Sequence, residues 1–181
     1  MRSIPNILTI SRIVAIPIIV VTFQIPDPLG VWITFSIFIA AAFTDFFDGW
    51  LARKLNQTSA FGQAFDPIAD KLLVASILIL LQSDSRISIF AVIAIISREL
   101  LIAGLREYLS GKLKIPVSQL AKWKTAIQFL GLSILILYPA IADASGDIIF
   151  IVGDTLIWVT VVLTWITAIP YLIKSIANLR G

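Results

Sequence analysis

Residues 44–70 read TDFFDGWLARKLNQTSAFGQAFDPIAD, and this stretch decides how the chain is organised. It carries four of the eleven acidic residues: Asp45 and Asp48, three apart, then Asp66 and Asp70, four apart. Each spacing puts its two carboxylates on one helical face. Apolar sequence continues on both sides, and the polar run at 56–60 reads as a short connection between two antiparallel helices whose acidic faces meet. If the first of these helices ends near Lys54, Asp45 lies about 13 Å inside it at 1.5 Å per residue. Four carboxylates held so close, and partly out of water, require a compensating cation. Hard oxygen ligands suit Mg2+ or Mn2+, and the cluster has room for two ions.

Composition fixes the solvent around these helices. Of 181 residues, 59% are hydrophobic and 14% charged, against about 25% charged in soluble domains. A chain of this length cannot hide that much apolar surface from water, so lipid is its solvent. Apolar stretches predict six transmembrane helices near 6–25, 31–54, 61–82, 87–108, 118–139 and 147–173, each long enough for a bilayer. The expected fold is therefore an all-α integral membrane protein forming a single domain over 1–181. Pro26-Asp27-Pro28 reads as a loop, and no small-residue cleavage pattern follows the first span, which is expected to be retained.

Charge placement orients the spans. Thirteen of the fourteen Lys and Arg residues fall on one side and only Arg86 on the other, so both termini are expected in the cytosol. The same placement explains the basic excess without nucleic acid as a partner. Neither Cys nor His is present. Disulfides, thiolate nucleophiles, histidine bases and the usual zinc sites are thereby excluded.

Simpler readings exist for some of the polar residues. Asp66 before Pro67 fits a helix N-cap, Arg53 fits a topology charge, and Gly49 and Gly62 fit close helix contacts. Asp45, Asp48 and Asp70 have no comparable structural explanation. Intramembrane acids of this kind also occur in cation transporters, but those distribute carboxylates along a crossing path. Here all four sit toward the cytosolic end.

The pattern Asp45-x2-Asp48-Gly49-x2-Ala52-Arg53-x8-Gly62-x3-Asp66-x3-Asp70 resembles the signature of the CDP-alcohol phosphatidyltransferases at every position. The resemblance implies a metal pair held by Asp45, Asp48, Asp66 and Asp70, which bridges the diphosphate of CDP-diacylglycerol. It implies Asp70 as the base that takes the acceptor proton. Asp45, Asp48, Gly49, Ala52, Arg53 and Gly62 would form the donor-binding surface; Gly49 and Ala52 lack bulk and leave room for the nucleotide, and Arg53 offers a charge-assisted fork to phosphate. It further implies a homodimer in the bacterial cytoplasmic membrane, with the active site toward the cytosol.

The acceptor is read from other residues. Ser97-Arg98-Glu99, Leu105-Arg106-Glu107, Lys122-Trp123-Lys124-Thr125 and Asn6-Ile7-Leu8-Thr9-Ile10-Ser11-Arg12 resemble the members of that family that use sn-glycerol 3-phosphate. A phosphorylated acceptor needs a cationic pocket, which Arg98, Arg106, Lys122 and Lys124 can supply. Inositol phosphate would use such a pocket too. The plainer alternative pairs these cations with Glu99 and Glu107 as topology charges. Ala121 stands where related synthases often carry Gly.

Overall fold

The computed structural model of the chain describes the backbone over residues 4–55, 60–109, 118–142 and 146–179, with side chains over 9–44, 65–108, 118–142 and 147–177. Among these residues every regular element is a helix. They are α1 (Ile4–Thr22), α2 (Leu29–Leu55), α3 (Ala60–Ser83), α4 (Ile89–Leu109), α5 (Gln119–Ile141), α6 (Gly146–Ile166) and α7 (Ile169–Leu179). Six helical stretches thus match the six expected ones, the last being divided in two. Gln119–Ile141 and Asp147–Ala177 are long and apolar enough to cross a membrane by length and composition, and Thr9–Thr22 and Leu29–Thr44 are shorter apolar helices.

The core forms where the helices turn apolar faces toward one another. Ile19 of α1, Phe38 of α2, Ile77 of α3, Ile95 of α4 and Leu132 of α5 belong to one fully buried cluster. Phe38 stacks on Phe129 with ring centroids 5.3 Å apart. Outward-facing positions are apolar as well: Phe90, Trp123, Ile148 and Ile173 are all exposed. A surface of that kind is unfavourable in water and consistent with a membrane protein.

The α5–α6 pair is tight because two glycines let the backbones approach. A Cβ on Gly153 would come within 2.7 Å of Leu135 Cδ2, and one on Gly131 within 3.1 Å of Leu156 Cβ. These two contacts fix the register, since residue numbers facing each other across the pair run in opposite directions.

The sixth expected span, 147–173, is corrected by the structure: the helix breaks at Thr167 and Ala168. Pro170 is the physical reason. It has no N–H to donate to Ile166, four residues back. The Ala168 N–H tightens onto the Trp165 carbonyl at 3.0 Å, which releases the Thr164 carbonyl. Arg98 Nε of α4 donates to that carbonyl at 2.7 Å, and its Nη2 donates to Thr167 Oγ1 at 2.8 Å.

Pro139 creates the same problem inside α5, because the Leu135 carbonyl loses its donor four residues on. Arg86 solves it from the α3–α4 connection. Its Nη1 donates to the Leu135 and Ile136 carbonyls at 3.2 and 3.3 Å. The guanidinium lies 5.3 Å from the centroid of the Phe23 ring and pairs with Asp84. Arg86, which stands apart from the other basic residues in the sequence, therefore holds α5 onto the α1 and α3 ends.

Arg86→Ala is expected to lower stability by about 1.5–3 kcal/mol, the scale for hydrogen bonds from a charged donor. Arg86→Lys should recover part of this loss, since an ammonium can reach one carbonyl but lacks the fork. Thermal unfolding of the purified protein in one detergent checks both variants.

Candidate active site

The acidic residues of α3 are met by a cation from α1. Arg12 lies eight residues inside α1, about 12 Å from its start, and its side chain is 1% exposed. Its Nη2 is 3.3 Å from Asp66 Oδ1, and its Nη1 pairs with Asp70 Oδ1. Thr9, one turn earlier and fully buried, donates its hydroxyl to Asp66 Oδ1. Thr9 against Asp66 and Arg12 against Asp70 set a parallel register between α1 and α3.

Asp66 is therefore no N-cap. α3 starts at Ala60 and runs through Pro67, so Asp66 and Asp70 sit one turn apart on one face, as their spacing predicts. Their side chains remain 36% and 42% exposed while Arg12 is buried. Two carboxylates bound on one side by a guanidinium, and still open on another, are a suitable hard-oxygen donor set for a divalent cation. Asp45, Asp48, Gly49, Ala52, Arg53 and Gly62 lie on the helical backbones of α2 and α3, with their side chains outside the described ones. Among the described residues no three carboxylates come together.

A second charged cluster lies where α4, α5 and α6 meet. Glu99 is its centre: its Oε1 accepts from Lys124 Nζ at 2.7 Å and from Arg98 Nη1 at 3.1 Å. Arg98 and Lys124 are both buried. About two turns along α4, Arg106 donates from Nη2 to the Tyr171 hydroxyl at 2.8 Å and lies 4.9 Å from its ring centroid. Lys122 is exposed. Of the four cations expected around an acceptor, Arg98 and Lys124 thus come together through Glu99, Arg106 joins α7, and Lys122 faces outward. α3 packs on both α4 and α5, which brings the acidic helix alongside this cluster.

Three contributors were not legible as such from sequence. Arg12 reads from sequence as a topology charge, although a charge so deep in an apolar helix calls for a counter-charge. Glu99 appeared only as a bland partner for nearby cations. The role of Arg98 at the α6–α7 break depends on a carbonyl freed far away in sequence, and no local pattern signals that.

Residues 2–166 match the family model described as CDP-alcohol phosphatidyltransferase. A protein of Rickettsia bellii (strain RML369-C) named CDP-diacylglycerol–glycerol-3-phosphate 3-phosphatidyltransferase is 44% identical over 173 residues, covering 94% of this chain and 93% of the relative. The protein of the same name from Rickettsia typhi (strain ATCC VR-144 / Wilmington) is also 44% identical over 173 residues, covering 94% and 96%. In Arabidopsis thaliana, the protein with that name numbered 2 is 38% identical over 187 residues, covering 95% of this chain and 79% of its own length.

Charge compensation by Arg12 can be tested without an activity assay. In chelator-treated protein, Arg12→Met should cost about 2 kcal/mol, between the ranges for exposed and buried pairs. Adding Asp66→Asn should return part of that loss, because one uncompensated carboxylate is removed. Denaturation of the single and double variants gives the coupling; strict additivity would contradict it.

Proposed function

The chain belongs to the CDP-alcohol phosphatidyltransferase family, and from that premise we propose that it transfers a phosphatidyl group from CDP-diacylglycerol to sn-glycerol 3-phosphate. The products are phosphatidylglycerophosphate and CMP. The single observation that carries this reading is an acid pair on α3, a helix that packs on the α4 and α5 bearing a buried charged cluster, in a chain matched along 94% of its length by relatives named for this reaction.

In this reading the six helical stretches cross the bacterial cytoplasmic membrane with both termini in the cytosol. The water-soluble substrates then reach the acidic ends of α2 and α3 from the cytosol, while the acyl chains stay in lipid. The protein acts as a homodimer, as the sequence resemblance implies.

The residues have separate tasks. Asp45, Asp48, Asp66 and Asp70 would hold a magnesium or manganese pair, whose charge offsets that of the diphosphate and of the departing CMP. Arg12 keeps Asp66 and Asp70 at fixed orientation from behind. Arg53 pairs with donor phosphate, and Gly49, Ala52 and Gly62 leave room for the nucleotide. Asp70 accepts the proton of the acceptor hydroxyl as that oxygen forms its bond to the phosphatidyl phosphorus. The phosphorus–oxygen bond to CMP breaks, and CMP leaves with the electron pair. No covalent intermediate on the protein is needed, which suits a chain without His or Cys.

The acceptor phosphate is bound by Lys124 and Arg106, with Lys122 at the entrance. Lys124 uses one of its three N–H donors on Glu99, and Arg106 uses one of five on Tyr171. Arg98 is a positioning residue: three of its five N–H donors go to Thr164, Thr167 and Glu99, and through Glu99 it orients Lys124.

An acceptor panel tests the reaction. Purified protein with CDP-diacylglycerol and magnesium should release CMP with glycerol 3-phosphate, and much less with glycerol, serine or inositol phosphate. Losing one charge-assisted bond costs about 1.5–3 kcal/mol, so Arg106→Ala and Lys124→Ala should raise acceptor KM roughly ten- to a hundredfold. The donor KM should change little. Better use of inositol phosphate than of glycerol 3-phosphate would refute the named acceptor.

A further inference from the structure

The face of α5 that meets α6 is apolar at one end and polar at the other. Lys124, Gln128, Gly131 and Leu135 follow one another at helical spacing, and Gly131 and Leu135 pack directly on α6 at Leu156 and Gly153. Carrying the antiparallel register onward brings Gln128 level with Thr160 and Lys124 level with Thr164. All four are buried, with Thr160 and Thr164 at 0% and Gln128 at 3% exposure. Thr164 is tied to the Glu99 cluster by its carbonyl, which accepts from Arg98 Nε. The seam between α5 and α6 is therefore an inward continuation of the cationic site.

Two polar atoms in this seam stand out. Among the described residues, Gln128 Nε2 and Thr164 Oγ1 are buried and have no hydrogen-bond partner. Thr160 differs, because its hydroxyl donates to the Leu156 carbonyl at 2.8 Å. A buried amide N–H without a partner is unfavourable, and an apolar side chain would fit the seam better if packing were its only purpose. The orphaned donor is available to a ligand oxygen.

The location narrows the ligand. Gln128 is nine residues into α5, about 13 Å, and Asp70 is ten residues into α3, about 15 Å. Gln128 lies one turn beyond Lys124 on the same buried face of α5, and α5 packs on α3, the helix that carries Asp70. An acceptor held by its phosphate at Lys124 and reacting at its far hydroxyl would present its middle carbon toward Gln128. In glycerol 3-phosphate that carbon bears a hydroxyl that does not react.

We propose that Gln128 is a specificity-determining residue whose amide donates to the non-reacting hydroxyl of a phosphorylated polyol acceptor, in a polar seam that Thr164 also lines. This rests on the acceptor reading above and extends it to a residue with no charge. A site built to bond a hydroxyl rejects the analogue that lacks it, because its own donor is then left unpaired.

The test compares glycerol 3-phosphate with 3-hydroxypropyl phosphate, which lacks the middle hydroxyl, under steady-state conditions with saturating CDP-diacylglycerol. Wild-type protein should favour glycerol 3-phosphate by about tenfold or more in kcat/KM. Gln128→Leu and Gln128→Met should reduce that preference to near unity while the donor KM stays unchanged. Their melting temperatures, measured without substrate, should equal or exceed that of wild type, since an unpaired buried amide has been removed. Retention of the wild-type preference by both variants would overturn the proposal. So would an equal loss toward both acceptors accompanied by lower melting temperatures, which is the signature of a purely structural glutamine. If wild-type protein itself fails to use glycerol 3-phosphate, the acceptor reading has failed, and the first assay shows this before any variant is made.

Discussion

The site depends on a guanidinium taken out of water. Arg12 is 1% exposed and lies among apolar helices, a placement that would be very unfavourable alone. Asp66 and Asp70 make it tolerable, and Arg12 in turn lets two carboxylates sit one turn apart on the same face. The pairing also does mechanical work. It fixes α1 against α3 in a parallel register, with both carboxylates still partly exposed. A positive charge on one side of the acid pair orients both carboxylates while they stay partly exposed.

The same economy recurs at two of the prolines. With lipid as solvent, a carbonyl that loses its backbone donor has no water to turn to. Pro139 releases Leu135, and Arg86 takes its carbonyl; the break before Pro170 releases Thr164, and Arg98 takes that one. The second case has a consequence for chemistry. Arg98 is neighbour to Glu99, so the residue that repairs α6 also anchors the carboxylate that holds Lys124. Helix integrity and the placement of Lys124 are thereby coupled through one side chain.

Much of this was legible in the sequence because the signals were strong and local. Apolar runs bounded by Pro, Gly and charge placed the helices within a few residues of their observed ends; the expected 61–82 and 87–108 are Ala60–Ser83 and Ile89–Leu109. Asp66 and Asp70 share a face, as their spacing requires. Asp45, Asp48, Gly49, Ala52, Arg53 and Gly62 have side chains outside the described ones, so their part in the site rests on sequence and on the family. What was not legible depends on pairing across the fold. Hydropathy does not register a missing N–H inside an apolar run, so 147–173 read as one helix. Arg12 looked like a flanking charge until its partners on α3 were in place. Gln128 carries no charge and gives no signal in the sequence, although its buried amide nitrogen has no partner among the described residues.

Whether the acid cluster is a divalent-cation site can be measured directly by titrating Mn2+ into chelator-treated wild-type protein and following bound ion by electron paramagnetic resonance. Asp48→Asn provides the comparison, since Asp48 belongs to the signature and is remote in sequence from the Arg12 pair. The account predicts saturable binding by wild type, strengthened by CDP-diacylglycerol and lost or much weakened in Asp48→Asn. Undiminished binding by the variant, or none by wild type in the presence of donor, would contradict it.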